Sequence, residues 1–145
     1  MSIEIVKKLI EFAKSEFKEK TFLQFIKPMS DYSLQIAQEV KADPLLCMIA
    51  SVLHMWAEGK TGEFRANRAN SILREMGIDS ITTDKLNDMI NNLLPETHNL
   101  QESLEEKVVG DAYILTYWRR FSSYKNIAFN FKISEKIFHS IEDDN

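Results

Sequence analysis

Asp43-Pro44-Leu45-Leu46-Cys47-Met48-Ile49-Ala50-Ser51-Val52-Leu53-His54-Met55-Trp56 is the stretch that decides the fold. Asp43 has the side chain of a helix N-cap, and Pro44 suits the first helical position, where its missing N–H would have no partner anyway. The residues that follow are apolar nearly all round a 3.6-residue period. A surface helix keeps one polar face, so this one belongs at the centre of a helical bundle.

Working outward, the flanking segments read as helices with a single apolar stripe. Ile3 to about Lys18 carries Ile3, Val6, Leu9, Ile10, Ala13 and Phe17 at helical spacing. Thr21 to Met29 is irregular but apolar, and Pro28 marks a boundary. A second helix is expected from Ser30 or Asp31, either of which can cap, to Val40. Beyond the central helix, Glu58 to Gly62 reads as a loop and Glu63 to Met76 as a fourth helix closed by Gly77. A fifth, capped by Thr82 or Thr83, spans Asp84 to Leu94 and stops at Pro95. Ser103 and Glu106 have capping-box spacing and open a sixth helix to about Phe121. A seventh covers Ser134 to Glu142, while Asn126 to Ile133 alternates partly, so an extended reading stands beside it. The expectation is an all-α fold of six or seven helices.

With 145 residues, one domain over 1–145 is expected. Four glycines and three prolines are too few for the many turns of a β-sandwich. Lys+Arg 18 against Asp+Glu 22 leaves a net charge of −4, which argues against a nucleic-acid binder, since phosphates call for clustered cations. Cys47 has no second cysteine to pair with and sits among aliphatic residues, so it reads as a small hydrophobe. No run approaches 18 apolar residues, and the chain opens Met-Ser-Ile-Glu without a signal-peptide pattern. A cytoplasmic protein without a membrane partner is expected.

Two polar residues fall where the pattern demands burial. His54 ends the central helix, and Asp111 lies in the apolar run Val108-Val109-Gly110-Asp111-Ala112-Tyr113-Ile114-Leu115. Each must find a partner or destabilise the fold. For Asp111 that partner is expected to be a His, an Arg, a metal or water. His98 and His139 read as exposed. Tyr117-Trp118-Arg119-Arg120-Phe121-Ser122-Ser123-Tyr124 mixes aromatic and Arg residues as interaction hot spots do, so Tyr117, Trp118, Arg120 and Tyr124 form a candidate interaction surface for a protein partner or a homodimer.

The order of these pieces resembles the HD (histidine-aspartate) superfamily of metal-dependent phosphohydrolases. Asp31-Tyr32-Ser33-Leu34-Gln35-Ile36-Ala37 resembles the family's His-Ser-Leu-Arg-Val-Ala helix. Ala50-Ser51-Val52-Leu53-His54-Met55 is similar to its Ala-Leu-Leu-His-Asp signature. Ala69 to Gly77 is similar to its next helix, and Leu104 to Ala112 to its Leu-Glu-x-Lys-Ile-Val-x-Asp-Ala-Asp helix. The resemblance covers about 31–121, with the helices at 3–18 and 134–142 packed on it. It implies a divalent metal such as Mn, Fe, Ni, Zn or Mg held by His, His-Asp and Asp. Here Tyr32 stands at the first position and Met55 in place of the paired Asp, leaving His54 and Asp111. Thioether and phenol are poor ligands for the cations that hydrolyse phosphate esters.

Three functional readings follow. The first is a degenerate, non-catalytic HD-like domain that binds a ligand or a protein, with Tyr32, His54, Met55, Trp56 and Asp111 around a plugged, vestigial cleft and no cofactor. The second is a phosphohydrolase for nucleotides or small phosphate esters, its metal held by His54, His98, Asp111 and Glu63. The third is a helical adaptor unrelated to HD chemistry.

Overall fold

Seven α-helices arise along the residues that the computed structural model describes, 2–57, 71–93, 103–120 and 128–143. They are α1 (Ile3–Glu16), α2 (Glu19–Thr21), α3 (Lys27–Val40), α4 (Pro44–Ala57), α5 (Ser80–Asn91), α6 (Leu104–Tyr117) and α7 (Lys132–Asp143). A π segment (Phe22–Ile26) joins α2 to α3, a 3-10 turn (Trp118–Arg120) follows α6, and a short helical stretch lies at 71–75. The all-α expectation holds.

The centre is a mutual contact of α3, α4 and α6. On α4, Cys47, Ile49, Ala50, Val52 and Leu53 are fully buried, as its unbroken hydrophobicity requires. Burying each large aliphatic side chain stabilises the fold by roughly 1.5–3 kcal/mol, so the most apolar helix takes the most enclosed place. Helix α1 covers one flank of α4 with Val6, Leu9 and Ala13. Helix α5 covers another with Leu86, Met89 and Ile90, and α7 lies against α6 and α3. The contact between α3 and α4 includes a hydrogen bond between two buried serines, Ser33 and Ser51. Ser51 Oγ donates to the Cys47 carbonyl at 2.8 Å, so the bond between the two hydroxyls takes its proton from Ser33.

Capping follows the sequence in part. Asp43 Oδ1 accepts from the N–H groups of Leu45 and Leu46 at 3.1 and 3.2 Å, and Ser103 accepts from Glu106 N–H at 3.0 Å. Gly77, at φ 77°, closes 71–75 with the paired bonds Ile78 N–H to Leu73 and Gly77 N–H to Arg74.

Three boundaries differ from the sequence reading. Helix α5 begins at Ser80 because Asp79, rather than Thr82 or Thr83, is the cap; it accepts from Thr82 N–H at 2.8 Å. The chain from Glu19 to Val40 is continuously helical, so neither Ser30 nor Asp31 starts a helix and Pro28 does not end one. The π segment explains this. Lys27 N–H closes the last wide turn on the Phe22 carbonyl, just before the proline that cannot donate. Residues 128–131 are not a strand, and α7 starts at Lys132. The expected loop at 58–62, most of the fourth helix and the Pro95 stop lie outside the described residues.

Candidate functional site

His54 is 5% exposed, near the C-terminal end of α4, and it meets α6. Its ring stands edge-on to Tyr113 and Tyr117, with centroids 5.3 and 5.4 Å away. His54 Nε2 is 3.0 Å from the Tyr117 hydroxyl, and that hydroxyl donates to Met55 Sδ at 3.1 Å. A proton committed to the sulfur leaves Tyr117 oxygen as acceptor for an Nε2–H, so the three groups form one short chain of hydrogen bonds. Tyr117 also stacks on Tyr113 (4.8 Å) and on Phe25 of the π segment (5.2 Å), and the Arg120 guanidinium lies over Phe25 and Tyr117 at 4.7 and 5.2 Å.

Asp111 is fully buried on the same helix but serves a different face. Its carboxylate accepts from Asn130 N–H at 2.9 and 3.1 Å, from Asn130 Nδ2 at 3.1 Å and from Phe131 N–H at 3.1 Å. These donors belong to the turn that leads into α7. The expected His, Arg, metal or water partner is therefore joined or replaced by backbone amides that no local pattern marks. Helix geometry places the 111 position roughly 140° around α6 from the face formed by 113 and 117. In the Asp-Ala-Asp of the resemblance, the second carboxylate falls at 113. It is this position, filled by Tyr113, that meets the imidazole.

Tyr32 is half-buried on α3. Burial holds its phenol above the usual range, although Arg119 pulls the other way. Met55 is half-buried with its sulfur engaged. Trp56 does not face the His54 cluster. It stacks on Phe12 at 5.5 Å, tilts against Phe17 and donates Nε1–H to Glu16 at 2.9 Å, which makes it a wedge between α4 and α1. Among the described residues, Tyr113 and Tyr117 stand against His54, and Phe25 and Met55 meet Tyr117 in turn. Cys47 is buried with its thiol pushed far up by burial and by the Glu105 and Asp43 carboxylates, as a packing residue should be.

The supposed interaction surface is largely interior. Tyr117 and Trp118 are 3% and 9% exposed. Tyr117 turns inward to His54, and Trp118 meets Phe138 of α7 edge-on at 5.3 Å. Only Arg120 of the expected set is exposed, and Tyr124 lies outside the described residues. His98 and Glu63 also lie outside them. Among the described residues no three His, Cys, Asp or Glu side chains converge as a metal site would need. Among the described residues, with His54 Nε2 beside a tyrosine hydroxyl and Asp111 accepting from Asn130 and Phe131, the donors do not by themselves make up the ligand set of the resemblance.

No protein-family model and no curated protein matches the chain. A solved structure does. The crystal structure of a predicted HD superfamily hydrolase from an uncultured Thermotogales bacterium is similar over 97% of this chain and 84% of that one, with a TM-score of 0.65 at 20% identity. The chain shares the fold of that predicted HD superfamily hydrolase. The α3–α4–α6 contact at the centre of this fold carries His54, Tyr113 and Asp111. Among the described residues, no helix of this HD-like chain is long and apolar enough to cross a membrane.

Proposed function

We propose that this HD-like domain is a non-catalytic binding module. The observation that carries the reading is the chain His54 Nε2, Tyr117 Oη, Met55 Sδ, in which the imidazole that would hold an ion is turned to a phenol. A ligand imidazole gives its free nitrogen to the metal and is oriented by its other N–H. Here Nε2 lies 3.0 Å from a tyrosine hydroxyl, whose ring packs edge-on against the imidazole. Water activation by a cation needs an open coordination position, and two aromatic rings, Tyr113 and Tyr117, stand edge-on to the imidazole. The residue at 113 adds to this, because a tyrosine stands where the resemblance has a carboxylate.

The test is elemental analysis of protein purified without chelator, together with turnover of a panel of phosphate esters and nucleotides in the presence of Mn, Fe, Ni, Zn or Mg. Substoichiometric metal and no metal-stimulated turnover are expected. One equivalent of a transition metal that is lost in His54→Ala would overturn the proposal, as would turnover abolished by the same substitution.

A further inference from the structure

Met55 brings a nucleophilic sulfur to the His54 cluster. The described methionines divide by exposure. Met29, Met48 and Met89 are buried, at 0%, 8% and 1%, whereas Met55 and Met76 are partly exposed. Among the described residues, Met55 and Met76 are thus the methionines most open to an oxidant in solvent. They differ in one respect. The Met55 sulfur accepts a hydrogen bond from the Tyr117 hydroxyl at 3.1 Å.

That bond has a stereochemical consequence. A thioether sulfur has two lone pairs, and oxygen added to one or the other gives the two epimers of methionine sulfoxide. A side chain free to rotate offers both. In Met55 the Tyr117 O–H is directed at the sulfur and engages one of them. Tyr117 is itself fixed by stacking on Phe25 and Tyr113 and by His54 Nε2, 3.0 Å from its oxygen.

We propose that Met55 is an oxidative modification site at which a hydroperoxide forms one sulfoxide epimer in preference to the other, with Tyr117 as the positioning residue. With hydrogen peroxide, the lone pair that Tyr117 leaves open attacks one peroxide oxygen and the O–O bond breaks. The proton on the transferred oxygen passes to the departing hydroxide, which leaves as water. The sulfur is oxidised by two electrons and the peroxide is reduced by two. The product alters the cluster. A sulfoxide oxygen is a stronger acceptor than a thioether sulfur and stands one bond away from it. The Tyr117 proton is therefore drawn off its present line, and the imidazole that shares this hydroxyl registers the change. The inference concerns the sulfur alone and is independent of the binding-module reading.

The experiment exposes the folded full chain to hydrogen peroxide and locates added oxygen by peptide mass spectrometry. The digested peptides are then treated with each of the two epimer-specific methionine sulfoxide reductases. Met55 is expected to gain oxygen ahead of Met29, Met48 and Met89. One reductase should remove about fivefold more of it than the other, the weight of one ordinary hydrogen bond. Tyr117→Phe should bring the epimers toward equal amounts. The native chain oxidised in denaturant gives the same comparison without a substitution, and there the epimers form equally. The His54 imidazole signals in NMR should shift in step with oxidation of Met55 and stay in place in peroxide-treated Met55→Leu. Met55 left unmodified while Met76 gains oxygen would overturn the proposal. So would equal epimers from the folded native chain, a ratio unchanged in Tyr117→Phe or in denaturant, or His54 signals that do not move as Met55 is oxidised.

Discussion

At the scale of single residues, the polar groups of the core are specified by their partners more than by their type. Tyr117→Phe leaves His54 Nε2 without its hydroxyl, and an unsatisfied buried group costs about 1–3 kcal/mol. A lowered denaturant midpoint with an unchanged slope is the expected outcome, since the aromatic packing on Tyr113 and Phe25 survives. Asp111→Ala removes the acceptor for the Asn130 and Phe131 N–H groups. A loss of about 3 kcal/mol or more is expected, because several donors lose a charged acceptor together. Amide exchange separates the two variants: Asp111→Ala speeds exchange first at 130–136, whereas Tyr117→Phe acts through α4 and α6. Equal protection of α7 in both would show that the carboxylate does not hold that helix.

At the scale of elements, the ends of the helices carry the predictions. Lys41 closes α3 in a left-handed conformation at φ 62°, with Ala42 N–H on the Ala37 carbonyl. Glycine adopts that conformation freely, so Lys41→Gly is expected to stabilise the protein by up to about 1 kcal/mol, read as a raised melting temperature. Asp79 caps α5, and the hydrogen bonds from Thr82 hold its carboxyl below the usual range. A depressed folded pKa contributes stability that is present above the unfolded value, near 3.9, and is lost as pH falls through the folded value. Amide exchange at the first turn of α5 should therefore rise as pH falls below about 4, beyond the intrinsic chemistry. Asp79→Asn keeps an acceptor and flattens that response.

At the scale of the whole molecule, one buried cluster joins α1 and α3 through α7, and Cys47 reports on it. Its thiol is fully buried and its ionisation is disfavoured. Labelling by a thiol reagent at pH 8 is expected to proceed only at the rate of global opening and to accelerate with denaturant along the unfolding transition. Fast labelling in native buffer would mean that α4 opens locally from α6, and would contradict the central placement of α4.

Local chemistry made the helices legible. The Asp43-Pro44 start, the all-round hydrophobicity of α4, the stripe of α1, the Ser103 cap and the Gly77 stop are each written in a few adjacent residues, and they led to an all-α fold. The same signals misplaced the start of α3, because a π turn that absorbs a proline leaves no compositional mark. The need of His54 and Asp111 for partners was also legible, since burial of any polar group demands one. Which partners they take was not. Tyr117 looked like surface because aromatic and Arg residues suit either an interface or a core, and Trp56 looked like cleft because it is adjacent to His54 in sequence. By itself the sequence determined where chain segments become helical and which faces are apolar, since propensity, capping and periodicity act over a few residues. Only the tertiary structure decided that Tyr113 and Tyr117 meet the imidazole while Asp111 holds the approach to α7, because the rotation of one packed helix against another depends on contacts between residues 19 to 63 positions apart.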